Sequence, residues 1–183
     1  MIDIFTIKDN FIINDKDVKA ELISNNILSE YIDILRSDFY NEYLDFKFNS
    51  DISEEKLIYE MKNKIEQYDK YDINIKEFRF VILDSNRHII GGYTLHIGFE
   101  IEIAYFVIPE YQGKGIASKA LYGVISKLKY LGYNNYIVKL NIQEKNSKSL
   151  RLARKMQFKV CKKYKGRFGT NIELKRFVGA GYE

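Results

Sequence analysis

The sequence predicts an α/β fold in which helices cover both faces of a mixed sheet. Three observations lead to this expectation. Apolar residues in the first part of the chain recur at three- and four-residue steps, as on a helix, and from residue 78 they recur at every second position, as on a strand. After residue 108, segments of helix and strand length alternate. This order predicts one three-layer α/β/α domain over residues 1–183, a length that can bury a core without disulfides.

The first part of the chain should form helices after a short opening strand. The first helix should carry an apolar face at helical spacing, made of Val18, Leu22, Ile23, Ile27, Tyr31, Ile34 and Leu35. A second helix should begin near Ser53, because a serine caps a helix N-terminus and the following Glu54 and Glu55 suit its positive end. Its core-facing residues should be Leu57, Ile58, Met61 and Ile65.

Three strands should then form an antiparallel meander. Residues 78–82 alternate between inward apolar and outward side chains, residues 84–86 make a turn, and residues 89–96 supply the second strand. The third strand covers residues 101–108. Pro109, the single proline of the chain, should end it.

The second half of the chain should alternate helices and strands. An amphipathic helix presents Ala120, Leu121, Val124, Ile125, Leu128 and Leu131, and Gly132 suits the position just after its end. Residues 136–142 are apolar enough for an internal strand. Asn146 should cap a helix whose inward residues are Leu150, Ala153 and Met156. Terminal strands near residues 158–161 and 170–177 complete the sheet.

Composition argues against several classes of protein. The start of the chain lacks a basic region followed by an apolar stretch, and no apolar run approaches ~18 residues, so neither secretion nor a membrane span is expected. Cys161 is the single cysteine and has no partner for an intrachain disulfide. With His88 and His96 as the only histidines, no metal site is expected. The cytoplasm is the compartment that fits these features.

The net charge of +4 conceals an asymmetry along the chain. Residues 1–60 carry 6 Lys and Arg against 14 Asp and Glu, a net charge of 6 − 14 = −8. Residues 148–176 carry 11 Lys and Arg against one Glu, a net charge of 11 − 1 = +10. Two solvated faces would explain this asymmetry, and so would two ligands of opposite charge.

A glycine-bearing loop joins the third strand to the next helix and reads Gln112-Gly113-Lys114-Gly115-Ile116-Ala117-Ser118. A helix start offers unpaired N–H groups and partial positive charge, and glycines let anion oxygens approach the main chain. The loop lacks both the Gly-Lys-Ser/Thr phosphate loop and the dinucleotide GxGxxG run. An ordinary strand-to-helix connection is the alternative to an anion site.

The spacing of this loop resembles that of the GNAT superfamily of acyl-CoA-dependent N-acetyltransferases, whose pyrophosphate loop reads Gln/Arg-x-x-Gly-x-Gly/Ala after an apolar strand. Gln112, Gly115 and Ala117 fit each fixed position. The resemblance covers about residues 78–177 and is strongest to the branch that contains ribosomal-protein N-terminal acetyltransferases and spermidine acetyltransferases. Two departures are Ala104, where the branch often has Gly, and Lys119, where it often has an acidic residue.

Downstream residues extend the resemblance. The family often begins the next helix with Asn-x-x-Ser and closes it with Gly-Phe, and here Asn146, Ser149 and Gln157-Phe158 stand in those places. The resemblance implies a sheet that is splayed at its centre and holds the acetyl-CoA arm. The implied binding residues are Phe106, Val107 and Ile108 through their backbone, then Gln112, Gly113, Lys114, Gly115, Ile116, Ala117, Ser118 and Asn146.

The resemblance also suggests catalytic residues. Glu102, seven residues before Pro109, is the candidate base that removes the amine proton, acting through a water, and Glu100 on the same face is its rival. Ser149 resembles the family's hydroxyl donor to the departing sulfur. A backbone N–H among Phe106, Val107 and Ile108 would polarise the thioester carbonyl.

The reaction implied is direct acetyl transfer from acetyl-CoA to an amine in a ternary complex, with no metal. The acidic N-terminal segment favours a cationic acceptor such as a polyamine, an aminoglycoside or a peptide N-terminus. A non-catalytic acyl-CoA-binding or sensor module is the alternative. Nucleic-acid binding through residues 159–167 is less favoured and is not expected, and a homodimer stays an open alternative.

Overall fold

The computed structural model describes residues 14–15, 18–43, 52–72, 74–166 and 169–180. Its helices are α1 Leu28–Arg36, α2 Asp38–Tyr43, α3 Glu54–Asp69, α4 Ile116–Tyr130 and α5 Ser147–Lys155, with 3-10 turns at Asn25–Ile27 and Pro109–Tyr111. Its strands are β1 Asn14–Asp15, β2 Val18–Leu22, β3 Glu77–Leu83, β4 Ile89–Ile97, β5 Ile101–Val107, β6 Ile137–Gln143, β7 Lys159–Gly166 and β8 Gly169–Phe177. The opening strand expected before these elements lies outside the described residues.

The eight strands form one mixed sheet in the order β1-β2-β3-β4-β5-β6-β8-β7. Every neighbouring pair is antiparallel except β5 and β6, which are parallel. Adjacent residues of β5 contact different helices: Phe106 packs edge-on against Tyr40 of α2, whereas Tyr105 lies beside Ser149 of α5. Because neighbouring strand residues point to opposite faces, helices cover both sides of the sheet, as predicted.

The prediction that the first helix includes Val18 and Leu22 is wrong, because these residues lie in strand β2. Lys19 to Leu22 pair with Phe80 to Leu83 of β3, and Ala20 is fully buried. In a segment this short, apolar positions separated by four residues fit both a helix and a strand. One edge of β3 has backbone groups that a neighbouring strand can hydrogen-bond to and a helix cannot. This segment therefore forms strand β2. Helix α1 begins at Leu28 instead.

The prediction for the second helix is confirmed. The Ser53 hydroxyl oxygen accepts the Lys56 N–H at 3.3 Å, and the buried face contains Leu57, Met61 and Ile65. Tyr68 at the end of this helix adds a contact that its spacing did not predict. Its hydroxyl donates to the Glu77 carbonyl and accepts the Arg79 N–H, both at 3.0 Å. Tyr68 thereby satisfies backbone groups of β3 beyond the end of β2.

The predicted meander and the later elements are also present. Pro109 follows β5 directly, Gly132 has the left-handed φ of 84° expected after the end of α4, and Asn146 caps α5. Strand β6 is internal, between β5 and β8. Among the described helices, none combines the length and the apolar character that a membrane span requires.

Candidate functional site

The centre of the sheet opens into a gap between β5 and β6. The two strands pair only at Ile101 with Val138 and at Glu102 with Lys139. Beyond these pairs β5 continues to Val107 on β4, and β6 continues on β8. The gap therefore has an apex at Glu102 and Lys139 and widens toward the glycine loop.

Ile108 does not offer its backbone to this gap. Its N–H donates to the Ile90 carbonyl at 3.1 Å, and its carbonyl accepts the Tyr111 N–H at 3.0 Å. Because the direction of hydrogen bonding alternates along an antiparallel ladder, Phe106 also directs its backbone toward β4. The expected backbone pairing of all three residues with a ligand is therefore corrected. Val107 is the one of the three whose backbone faces the gap.

The glycine loop has the geometry of an anion site. Gly113 and Gly115 adopt left-handed φ values of 80° and 79°, and a Cβ at either position would meet no atom within 4 Å. Gly115 is the N-cap of α4, so the N–H groups of the first turn, from Ile116, Ala117 and Ser118, have no partner within the helix. The Ile116 side chain is buried and anchors this turn in the core.

Gln112 links this loop to the gap and to α5. Its Nε2 donates to the Val107 carbonyl at 3.2 Å, and its Oε1 accepts from Lys148 Nζ at 2.9 Å. Lys148, which the sequence pattern did not single out, thus places an ammonium group beside the loop. Lys114 instead lies over the Tyr111 ring, 4.5 Å from its centroid. Two lysines from different elements therefore supply positive charge at this end of the gap.

The start of α5 holds the other two predicted residues. Asn146 Oδ1 accepts the Ser149 N–H at 3.1 Å, which confirms Asn146 as the N-cap. The Ser149 hydroxyl lies next to the buried Tyr105 hydroxyl, but the two do not form a hydrogen bond. Burial raises the pKa of the Tyr105 phenol, and the nearby Ser149 partly offsets this rise. Tyr105 is a further polar side chain that the sequence pattern did not reveal.

Both carboxylate oxygens of Glu102 are occupied at the apex. Oε1 accepts from Asn141 Nδ2 at 2.7 Å, and Oε2 is 2.8 Å from Lys139 Nζ. Burial alone would raise the pKa of the Glu102 carboxyl, but the hydrogen bonds from Lys139 and Asn141 outweigh it and lower the pKa. Its rival, Glu100, is paired with Lys175 at 2.7 Å.

His96 completes a group of side chains that we call the apex cluster: His96, Glu102, Lys139 and Asn141. His96 is directly opposite Glu102 in the β4–β5 ladder, so both side chains lie on one face of the sheet. Phe106 shares this face and is covered by Tyr40 of α2. The apex cluster therefore lies on the side of the N-terminal helices.

An ion network joins the apex cluster to helices α1 and α3. Arg79 Nε donates to Glu77 Oε1 at 2.7 Å, and Lys64 Nζ of α3 is 3.0 Å from the same oxygen. Arg79 Nη1 also donates to the Tyr31 hydroxyl of α1 at 3.4 Å. Burial would raise the pKa of Glu77, but the charges of Arg79 and Lys64 lower it to about 2.

The sequence model of the acetyltransferase (GNAT) family matches residues 33–158, which is more than half of the chain. The chain belongs to the acetyltransferase (GNAT) family. As a member of this family, it is an enzyme of the N-acetyltransferase class. The matched residues include α4, the glycine loop and the whole gap.

Solved structures with the same fold act on amines of two kinds. One, from Salmonella typhimurium, modifies the N-terminal serine of ribosomal protein L7/L12; it is 15% identical, with a TM-score of 0.71 and coverage of 89% of this acetyltransferase and 96% of that chain. Another is a ribosomal-protein-S5-alanine acetyltransferase from Vibrio fischeri, with 17% identity, a TM-score of 0.73 and coverage of 91% and 96%.

A third is a spermidine N-acetyltransferase from Vibrio cholerae in complex with CoA and spermine, with 18% identity, a TM-score of 0.69 and coverage of 89% and 96%. At these identities the likeness concerns the fold. No curated protein matches this acetyltransferase in sequence. Among its described residues, no three His, Cys, Asp or Glu side chains converge as metal ligands would.

Proposed function

We propose that this acetyltransferase takes acetyl-CoA as its donor and holds it in the gap between β5 and β6. The observation that carries the proposal is the placement of the glycine loop at the wide end of that gap. Pyrophosphate oxygens would meet the N–H groups at the start of α4 and the ammonium groups of Lys114 and Lys148. The pantetheine arm would then run along the backbone of Val107 toward the apex.

The acceptor is a cationic amine, and it attacks the thioester directly in a ternary complex. A carboxylate at the apex, Glu102, lies where the gap narrows, on the face of the sheet that Tyr40 of α2 covers. Glu77 adds a second carboxylate on that face. The proteins that share the fold are an acetyltransferase that modifies an N-terminal serine, a ribosomal-protein-S5-alanine acetyltransferase and a spermidine N-acetyltransferase, and an amino group is the acceptor that these have in common.

Residues at the two sides of the gap have different parts in this reaction. Glu102 is the group that receives the amine at the apex. The Val107 backbone N–H is the donor for the thioester carbonyl, where negative charge develops in the transition state. Ser149 lies on the α5 side and donates to the departing thiolate. A thiolate, with a conjugate-acid pKa of about 8.5, needs little such help.

The test combines binding and turnover. Acetyl-CoA at about 100 times its dissociation constant should stabilise the protein by about 2.7 kcal/mol, read as a rise in Tm. The protein should then acetylate at least one amine in a panel of spermidine, spermine and peptides with free N-terminal Ser or Ala. Stabilisation by acetyl-CoA without acetylation of any amine would favour the non-catalytic acyl-CoA-binding module. Absence of stabilisation would contradict the proposed donor site.

A preference for polycationic amines should weaken as salt is added, because screening shortens the reach of surface charge to about 8 Å at physiological ionic strength. A best acceptor that is anionic, or a rate that is insensitive to salt, would contradict a cationic acceptor.

A further inference from the structure

His96 is an imidazole placed between two carboxylates. Its Nδ1 is 3.6 Å from Glu77 Oε2, and its partner across the β4–β5 ladder is Glu102. The side chain is 37% exposed, so it is partly shielded but still open to a ligand. With Nδ1 facing Glu77, the neutral tautomer that carries its proton on Nδ1 is favoured, and the lone pair is left on Nε2.

Glu102, the nearest carboxylate to the gap, is a poor proton acceptor. Hydrogen bonds from Lys139 and Asn141 stabilise its charged form. A base whose proton affinity has been reduced in this way removes a proton from an ammonium group less readily. Glu102 is better suited to hold a cationic amine at the apex by charge. The proton must then go to another group.

Charged groups from three elements face His96. Glu77 and Arg79 belong to β3, Glu102 to β5, and Lys64 to α3. Burial lowers the pKa of His96, and so do the two cations. The two carboxylates raise it, but the pKa remains below its usual value. The lowered pKa favours the neutral imidazole, whose Nε2 lone pair can accept a proton, even though two carboxylates are close to it. Histidine has an intrinsic pKa of about 6.5, against about 4.3 for glutamate, so imidazole is intrinsically the stronger proton acceptor of the two.

We propose that His96 is the proton acceptor for the attacking amine. This inference rests on the proposed acetyl transfer. The ammonium group, held by Glu102, gives one proton to the His96 lone pair and becomes a neutral amine. The amine nitrogen forms a bond to the acetyl carbon as the carbon–sulfur bond breaks. The second nitrogen proton goes to the CoA thiolate through Ser149, and His96 later releases its proton to solvent.

The test is the pH profile of kcat/KM for His96→Gln, with spermidine or a peptide with a free N-terminal serine as acceptor, whichever the wild type acetylates faster. At pH 7 the variant should be about 10²-fold slower, the lower end of what a general base contributes. Wild-type kcat/KM should level off above the pKa of His96. The variant should continue to rise until the amine loses its own proton, so the difference between the two should shrink with pH.

An amine that is already neutral at pH 7 provides a second measurement. With a fluorinated alkylamine of this kind, His96→Gln should match the wild type within about threefold, because no proton has to be removed before attack. If His96 had only a structural role, His96→Gln would slow the acetylation of both amines by the same factor at every pH. His96→Asn, whose amide still reaches toward Glu77, repeats the test if His96→Gln does not fold.

His88 is the matched control, since it is the other histidine of the chain and is exposed, directly before the first residue of β4. His88→Gln should keep the wild-type profile. A His96→Gln deficit that is constant across pH, or no deficit at all, would overturn the role of His96 while leaving acetyl transfer intact. If the wild type acetylates no amine, the proposed function fails first, and the proposal for His96 fails with it.

Discussion

Glu102 and Lys139 form an ion pair, 2.8 Å between Oε2 and Nζ, at the last parallel pair before β5 and β6 separate. The same two residues therefore end the pairing between the two halves of the sheet and begin the gap. An amine bound at the apex, as proposed, would approach a carboxylate that already has a cationic partner. In that proposal Glu102 holds the amine by charge, and a group with a free lone pair removes its proton.

Replacing Glu102 should weaken the reaction in the same proportion at every pH at which the amine is still charged, because only the ammonium form makes the contact. Glu102→Gln removes a charge-assisted contact with the amine, so kcat/KM for spermidine should fall by at least about tenfold while CoA affinity by calorimetry stays the same. Glu100→Gln, two residues earlier, is the control and should retain activity. If the Glu102→Gln deficit shrinks as pH rises, Glu102 itself is the base, and the assignment to His96 is wrong.

The glycine loop can be tested with two glycines at opposite ends of α4. Gly115 and Gly132 both adopt left-handed φ, 79° and 84°, and neither has an atom within 4 Å of an added Cβ. Gly115→Glu and Gly132→Glu should therefore cost a similar amount of stability, about 1–2 kcal/mol. Only Gly115→Glu places bulk and negative charge at the anion site, so it should abolish CoA binding while Gly132→Glu retains it. Equal CoA affinities in calorimetry would refute the loop assignment.

Ser149 should contribute less to the reaction rate than His96 of the apex cluster. Ser149→Ala removes the hydroxyl beside Tyr105 but keeps the backbone N–H that Asn146 caps, so α5 should remain folded. Because a thiolate leaves almost unaided, kcat should fall by less than about tenfold, a smaller loss than that of His96→Gln. Ser147→Ala, at the exposed start of the same helix, is the control. A larger loss for Ser149→Ala than for His96→Gln would contradict this order.

The ion network at Glu77 should make stability depend on pH. The pKa of Glu77 is lowered from 4.5 to about 2 in the folded protein. Its contribution is therefore complete above pH 4.5 and is lost as pH falls toward 2. Glu77→Gln should lower the free energy of unfolding at pH 7 by about 3 kcal/mol, because it removes the partly buried carboxylate that pairs with Arg79. In urea denaturation, the difference from wild type should shrink between pH 4.5 and pH 2.

Glu66 provides the control for this measurement, since it pairs with Lys70 on the exposed surface of α3. Glu66→Gln should change stability little, as exposed pairs contribute little. A Glu77→Gln difference that stays constant from pH 5 to pH 2 would mean that packing, and not charge, sets the effect.

Much of the fold could be predicted because its signals are local. The Ser53 and Asn146 caps, the end of β5 at Pro109 and the turn after α4 at Gly132 each depend on residues within a few positions of one another. The glycine loop is local as well, and its spacing pointed to the family that the sequence model confirms. Strand β2 was mistaken for helix because its pairing partner, β3, lies about sixty residues away in the sequence.

The sequence by itself determined the order of elements from β3 onward, the glycine loop and the cap that positions Ser149. The tertiary structure alone decided how the apex cluster is assembled. His96, Glu102 and Lys139 come from three strands, and only sheet pairing brings their side chains onto one face. The charge state of each depends on burial and on neighbours from other elements, so a residue type in a sequence does not define it. For that reason the sequence pointed to a carboxylate as the base, whereas the folded protein places an imidazole, His96, beside that carboxylate.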